Sequence, residues 1–560
     1  MVIGEVLVQK GKLSQDELDR VLREKDPSER MGEAIVRLGL AEEDDVFRCL
    51  AEQAHLPFLE ITELVPDGEL LSKVNVKTIF RRRILPLDDQ NGTVRIAIAD
   101  PLDLEVLDEL RLLLKTNVTA VVARPSEIDR LIKKHYGVGA EEVDNMVGAS
   151  REEIQVVRDE DDLGEELLKM AEDAGLVKFV NQVLTEAVRD RASDIHIEPM
   201  EEELRIRYRI DGVLHRVPVP PEVSRFQSAI ISRIKIMSNL NIAERRLPQD
   251  GRIKLKMLGK EIDVRVSIIP NVWGEGICLR LLDRANMDIT LEQLGMPPTV
   301  LKQFQSLLEE PHGIFLVTGP TGSGKTTSLY AGLDKINSTE DKIITVEDPV
   351  EYQLSGIKQI QINPKVGLTF ASGLRAILRH DPDIIMIGEI RDLETSEIAV
   401  QAALTGHLVF STLHTNDAPS AITRLIDMGV EPFLVASTVE GLMAQRLVRK
   451  ICVHCSEEHP IPAADHEEGI VPEDIKTYRS GKGCDHCRGT GYSGRQGVFE
   501  LVIVDDNIRD MILHREGSNR IKKYCIEKGM VSLREQGWDC VRSGVTTPEE
   551  IIRITKADKF

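Results

Sequence analysis

The sequence predicts a multidomain α/β protein, and three observations carry that prediction. The chain has 560 residues, too many for one core and enough for about three to five domains. Between about 287 and 448, apolar runs alternate with helix-patterned segments, the order expected of a parallel sheet. Inside that stretch, Gly319-Pro320-Thr321-Gly322-Ser323-Gly324-Lys325-Thr326 follows the apolar run 313–318 and precedes a helical pattern from Thr327 to Leu333. Strand, glycine-rich turn and helix together make a phosphate-binding loop. The glycines let successive N–H groups face one anion, and the helix N-terminus adds its partial positive charge. Lys325 is expected to reach the β- and γ-phosphates, Thr326 to ligate Mg²⁺, and Thr327 to complete the turn around the nucleotide.

Composition narrows the class. Apolar residues make up 42% and charged residues 29% of the chain, the balance of an ordinary globular protein. A net charge of −22 disfavours nonspecific nucleic-acid binding, which needs a basic surface, and adsorption to anionic lipid. No apolar run approaches the roughly 20 residues that span a bilayer. The N-terminus shows no signal-peptide pattern, which predicts a cytoplasmic protein. Two of the cysteine pairs have C-x-x-C spacing, which in a reducing compartment points to metal before disulfides.

Residues 2–25 and 30–53 repeat each other, each reading as helix, glycine turn, helix, with the second helix opened by Ser14 or Ala41. Two such units can cover each other's apolar faces. Residues 57–136 look α/β, with a strand pattern at 94–100 and a helical one at 103–115. The N-terminal domain is thus expected at 1–136. An acidic linker at 137–168 is too polar to pack a core. A further α/β domain at 169–286 starts on a helix and continues through strands in which arginines alternate with apolar residues, as in 204–212, 262–266 and 277–281. Arginines on several strands suit either a solvated face or an interface that reaches a neighbour's nucleotide.

In the domain expected at 287–448, each apolar run ends in polar residues, and open α/β sheets bind ligands at those ends. One run ends at Glu347 with Glu351 beyond it, one at Glu389, and one at His414, with His407 just before it. Glu389 could hold the Mg²⁺ shell or polarise water. Glu347 and Glu351 are further candidates to orient or deprotonate it, and spacing does not choose among them. The two histidines suit sensing of the γ-phosphate. Cys452, Cys455, Cys484 and Cys487 suit a closed, structural Zn²⁺ site within an element at 449–495. His454 and His486, inside the knuckles, could each replace a cysteine. Residues 496–560 read as a C-terminal helical segment.

Several motifs resemble one family, the ATPases of type II secretion and type IV pilus assembly: ASDIHIEP at 192–199, LPQDGRI at 247–253, the P-loop, ITVEDPVE at 344–351, LRHDPDIIMIGEIRD at 378–392, TGHLVFSTLHTNDA at 405–418, AQRLVRK at 444–450 and the four cysteines. The resemblance implies a cytoplasmic homohexamer that hydrolyses ATP. It implies a RecA-like core at 287–448, a PAS-like domain before it, and Arg207, Arg209 and Arg280 completing the nucleotide site. It further implies work on an inner-membrane platform protein, recruitment by a membrane-anchored partner, and no nucleic acid. The stretches 421–437 and 491–501 resemble the secretion branch more than the pilus-assembly branch. The N-terminal repeat is similar to domains that bind cyclic di-GMP. Its second copy carries Arg30, Gly32, Gly39, Leu50 and Gln53, whereas the first has Val2 and Lys25 where arginine and glutamine are expected. A DNA translocase is disfavoured by the acidic balance, and a non-hydrolysing scaffold by the three glutamates.

Overall fold

Ser14 begins its helix as expected. In the computed structural model its hydroxyl accepts from Glu17 N at 3.3 Å, while the Glu17 carboxylate accepts from Ser14 N at 2.8 Å, a capping box worth about 1 kcal/mol. The described residues are 3–25, 30–61, 64–90, 92–101, 103, 105–140, 173–257, 259–283, 289–462, 466 and 469–555. The acidic linker beyond residue 140, the start of the domain at 169, the boundary at 286/287 and Val2 lie outside them. The chain divides into two compact units, 1–282 and 283–560.

In the first unit, helices Ile3–Gln9, Gln15–Glu24, Met31–Arg37 and Glu43–Gln53 form the two repeats. The last of these starts one residue later than Ala41 predicts, with Glu42 at the N-cap and no side-chain cap bond. A three-stranded sheet follows, β1 (Ile84–Gln90), β2 (Thr93–Ile98) and β3 (Asn117–Val122), in the order β1-β2-β3. After it the helix Ala174–Arg189 leads into β4 (Ala192–Pro199), β5 (Leu204–Ile210), β6 (Val213–Val217), β7 (Gln249–Met257), β8 (Lys260–Asn271) and β9 (Gly274–Asp283). These strands make one sheet ordered β6-β5-β4-β9-β8-β7. Strict alternation on β5 works as predicted: Leu204, Ile206 and Tyr208 are buried, and the Tyr208 hydroxyl donates to Val183 O of the helix at 2.6 Å. The arginines therefore line the opposite face.

The second unit contains β10 (Gly313–Thr318), β11 (Ile343–Glu347), β12 (Lys358–Gln361), β13 (Ile384–Ile387), β14 (Leu408–Leu413) and β15 (Val439–Ile451). A separate hairpin of β16 (Ser456–Pro460) and β17 (Thr477–Gly481) follows, and then β18 (Tyr492–Ile503). The main sheet has seven strands in the order β12-β11-β13-β14-β10-β15-β18, with β18 antiparallel on one edge. Every residue of β10, β11, β13 and β14 is buried, as helices on both faces of a parallel sheet require. The boundaries expected at 448/449 and 495/496 both fall inside strands. Antiparallel pairing runs from Gly441 opposite Ile503 to Ile451 opposite Tyr492, so the cysteine element is an excursion from the far end of one long ribbon. The helices after β18 share the core of the P-loop sheet through Ile508, Ile521, Trp538 and Ile551. Residues 496–560 thus open on a core strand. Among the described residues no helix is long and apolar enough to cross a membrane.

Candidate nucleotide site and cysteine cluster

The phosphate loop joins β10 to the helix Lys325–Lys335, whose N-cap, Gly324, has φ 88° and offers no side-chain cap. The first amides of that helix therefore face outward from the loop with no side chain of the cap residue on them. A Cβ on Gly319 would lie 2.5 Å from Ser323 Oγ and 2.6 Å from Gln445 O, so only glycine lets the backbone pass there. Ser323 Oγ is buried with no hydrogen-bond partner among the described residues, and a buried hydroxyl left unpaired costs about 1–3 kcal/mol. Lys325 Nζ donates to Gly319 O at 2.8 Å and Pro320 O at 3.0 Å. Burial brings its ammonium down to about 8, with Arg446 lowering it further and Glu389 opposing both. Thr326 and Thr327 are half-buried in the same turn, while Pro320, Thr321 and Gly322 line its outer side. An orphaned hydroxyl, an uncapped helix start and a partly buried cation are the donor set that a nucleotide's phosphates satisfy.

Two sequence-predicted residues join this cluster. Glu389 lies just past β13, its side chain 13% exposed, with His414 Nε2 at 3.3 Å. Arg391, which sequence reasoning had not singled out, pairs with the same carboxylate. Ile390 N donates to Thr412 O at 3.1 Å and Gly319 N to Leu413 O at 3.3 Å, so Glu389 and the phosphate loop flank the same end of β14.

Glu347 lies beside the segment that carries Glu389, its Cα 3.3 Å from where a Cβ on Gly388 would sit, but its carboxylate is enclosed. In the strand order it lies three spacings from β10, about 14 Å at the usual separation. Its carboxylate accepts from Thr345 Oγ1 at 2.5 Å, Gln359 Nε2 at 3.2 Å and the Tyr330 hydroxyl. Burial raises its pKa against those bonds, so it is an anchored, enclosed acid. Gln359 also donates to Tyr352 O at 3.0 Å and accepts from Leu354 N at 2.8 Å. The cage thereby pins the loop that carries Glu351, itself half-buried.

His407 does not fit the expected sensor role. It precedes the first residue of a parallel strand of six residues, β14, so roughly 20 Å of strand separates it from the phosphate edge. Its Nδ1 is engaged by Ala402 O at 2.8 Å and Thr405 Oγ1 at 3.2 Å, closing the turn after a helix. Replacing His407 by alanine is therefore expected to leave ATP turnover within about twofold. His414→Ala, which removes a ring from the Glu389 pair, should lower it about tenfold or more, with steady-state phosphate release as the check.

Arg207, Arg209 and Arg280 are held by acids on β4. Arg207 donates through Nε to Glu198 at 2.8 Å, and Arg280 donates to Asp194 at 3.1 Å, with Arg209 at 3.5 Å from the same carboxylate. In the N-terminal repeat, Arg30 pairs with Asp100 at 2.7 Å and is 62% exposed.

The four cysteine Sγ atoms lie within 4.8 Å of one another, at 3.8 Å for Cys452–Cys484 and 3.7 Å for both Cys455–Cys487 and Cys484–Cys487. Zn–S bonds of about 2.3 Å in a tetrahedron require sulfur separations near 3.8 Å, so the set fits Zn²⁺. Cys487 Sγ also accepts from Cys484 N at 3.1 Å and Gly491 N at 3.3 Å. Burial pushes that thiol up, but the amides and its neighbours outweigh it and bring it to about 7. His454 and His486 are not part of the cluster. Both are exposed, their rings tilted 45° to each other with centres 4.1 Å apart.

Sequence reasoning placed Gln445 and Arg446 in a family motif but gave them no role in the site. Both are buried on β15, and Arg446 donates to Gln445 O at 2.9 Å and to Asn416 O at 2.8 Å. It thereby ties the loop after His414 to β15, the strand beside the phosphate loop. The available signal was a polar doublet inside the otherwise apolar run 441–448.

Comparison with known proteins agrees with this geometry. A family model described as "Type II/IV secretion system protein" matches residues 169–553, and an MshEN domain model matches 54–142. The type IV pilus assembly ATPase PilB of Myxococcus xanthus is 40% identical over 564 residues, covering 100% of this chain and 99% of its own. A type II secretion system protein E of Xanthomonas campestris is 43% identical over 571 residues, covering 99% and 98%. The type II secretion system ATPase E of Vibrio cholerae is 46% identical over 481 residues, covering 84% and 94%. A family match that spans both the phosphate loop and the cysteine cluster, with relatives aligned end to end, leads to one conclusion: the chain belongs to the type II/IV secretion system protein family and is an ATP hydrolase.

Proposed function

We propose that this chain is the motor ATPase of a type II secretion system, using ATP hydrolysis to drive pseudopilus assembly and protein export across the outer membrane. The observation that carries this reading is the nearly full-length identity of 43% to a type II secretion system protein E, above the 40% to a pilus-assembly ATPase. Lys325 and the loop amides bind the phosphates, and Glu389 with His414 orients the attacking water. Water adds to the γ-phosphorus as the bond to ADP breaks, releasing phosphate and a proton. Thr326 and Glu389 would hold Mg²⁺, which neutralises charge on the β- and γ-phosphates. Arg207, Arg209 and Arg280 would complete the site in a homohexamer after release from Asp194 and Glu198. The four cysteines hold a structural Zn²⁺. The N-terminal domain docks the hexamer to a membrane-anchored partner and an inner-membrane platform protein on the cytoplasmic face. Cyclic di-GMP is its candidate ligand, with the exposed Arg30 as a phosphate contact.

Pilus assembly is the second reading, favoured by alignment of PilB over 100% of this chain. Replacing Lys325 by alanine in the source organism separates the two. Lost secretion of exported enzymes with normal pili and twitching is the expected result. Lost pili with normal secretion would overturn it and assign the motor to pilus extension.

A further inference from the structure

The strand beside the phosphate loop carries a buried amide where an apolar side chain would suffice. Gln445 is 1% exposed on β15, just past the register pair Thr318–Ala444, so it lies next to the start of the loop. Its Oε1 accepts from the hydroxyl of Ser328 at 2.9 Å, and Ser328, on the phosphate-loop helix, is itself fully buried. Its Nε2 lies 2.8 Å from where a Cβ on Gly324 would sit and takes no acceptor among the described residues. Its carbonyl lies 2.6 Å from where a Cβ on Gly319 would sit. One residue thus abuts two of the loop's three positive-φ glycines, Gly319 and Gly324, and is locked in orientation from the helix the loop starts. An amide buried among apolar neighbours costs about 1–3 kcal/mol unless its bonds are made. Leucine would pack this position without that cost, but it would leave the Gly324 turn and Ser328 without their polar neighbour.

We propose that Gln445 is a positioning residue for ATP binding, held by Ser328 and setting the conformation of the phosphate-binding turn at Gly324. The proposal rests on the nucleotide reading of that turn.

Full-length wild type, Gln445→Leu, Ser328→Ala and the double variant are compared by ATP titration and steady-state turnover, with thermal unfolding in parallel. Gln445→Leu should weaken ATP binding about tenfold and lower kcat less than threefold. Ser328→Ala should weaken binding about threefold. Because the serine acts through the amide, the double variant should bind no more weakly than Gln445→Leu alone. Wild-type affinity in folded Gln445→Leu, even with a lowered Tm, would overturn the proposal, and so would losses that add in the double variant. If Gln445→Leu does not fold, Ser328→Ala decides by itself, wild-type affinity counting against. Wild-type protein that bound no ATP would overturn the nucleotide reading, whereas normal wild-type binding with insensitive variants would overturn only the role of Gln445.

Discussion

Glu389→Gln is expected to lower ATP turnover by about a hundred- to a thousandfold, the range for removing one preorganised charge from a transition state. Binding of ATP should stay within about threefold. The glutamine keeps the shape and one acceptor oxygen, so the contacts with Arg391 and His414 need not collapse. What it loses is the negative charge. The same charge supports the Lys325 ammonium, which burial has already brought down to about 8. Removing an opposing carboxylate disfavours the protonated lysine, so its pKa falls further and the cation is lost earlier as pH rises. The alkaline limb of kcat/KM, which reports the free enzyme, should therefore move to lower pH in Glu389→Gln. Unchanged turnover would place the catalytic carboxylate elsewhere, and Glu351, on the loop pinned by Gln359, would be the next residue to replace.

The features legible in the sequence were local ones. The phosphate loop lies within eight consecutive residues between a strand and a helix, and the alternating strands of the first unit announce their own faces. The family motifs extended that reading to nearly the whole chain. Position across the sheet was harder to see. His407 and His414 bracket one strand, and proximity in sequence suggested proximity in space. A parallel strand instead sends its two ends to opposite edges of the sheet, and six residues were enough to separate the pair. For Glu347, nothing adjacent in sequence announces that it is enclosed. Its enclosure comes from Tyr330 and Gln359, on a preceding helix and a following strand. The ribbon of β15 and β18 was hidden for a related reason. The cysteine excursion separates the two strands, so that β18, taken alone, resembles the start of a helical tail.

Removing metal from the cysteine cluster should unfold the end of that ribbon and lower the Tm by about 10 °C or more, since structural zinc contributes directly to folding free energy. Elemental analysis should find one Zn²⁺ per chain, and Cys455→Ser should reproduce the effect of a chelator. The geometry explains why the loss is large. Cys452 follows β15 directly, with Cys452 N donating to Gly491 O at 2.9 Å, and the second knuckle returns the chain to β18. With a metal bound, four thiolates close the ribbon at one point. Without it, the buried Cys455 thiol, pushed up to about 12, stays protonated, and the sulfurs no longer join the two knuckles, which are left to the hairpin of β16 and β17 and a bond from Lys482 N to Cys455 O at 3.1 Å. A preparation free of metal, with an unfolding curve indifferent to chelator, would refute the assignment. If the zinc is present, its removal should also be felt at the nucleotide. β15 is continuous from Ile451 back to Gln445 and Arg446, so fraying at the cysteine end loosens the strand against which the phosphate loop is set. ATP affinity should then fall before the sheet itself melts, an order that a simple loss of global stability would not produce.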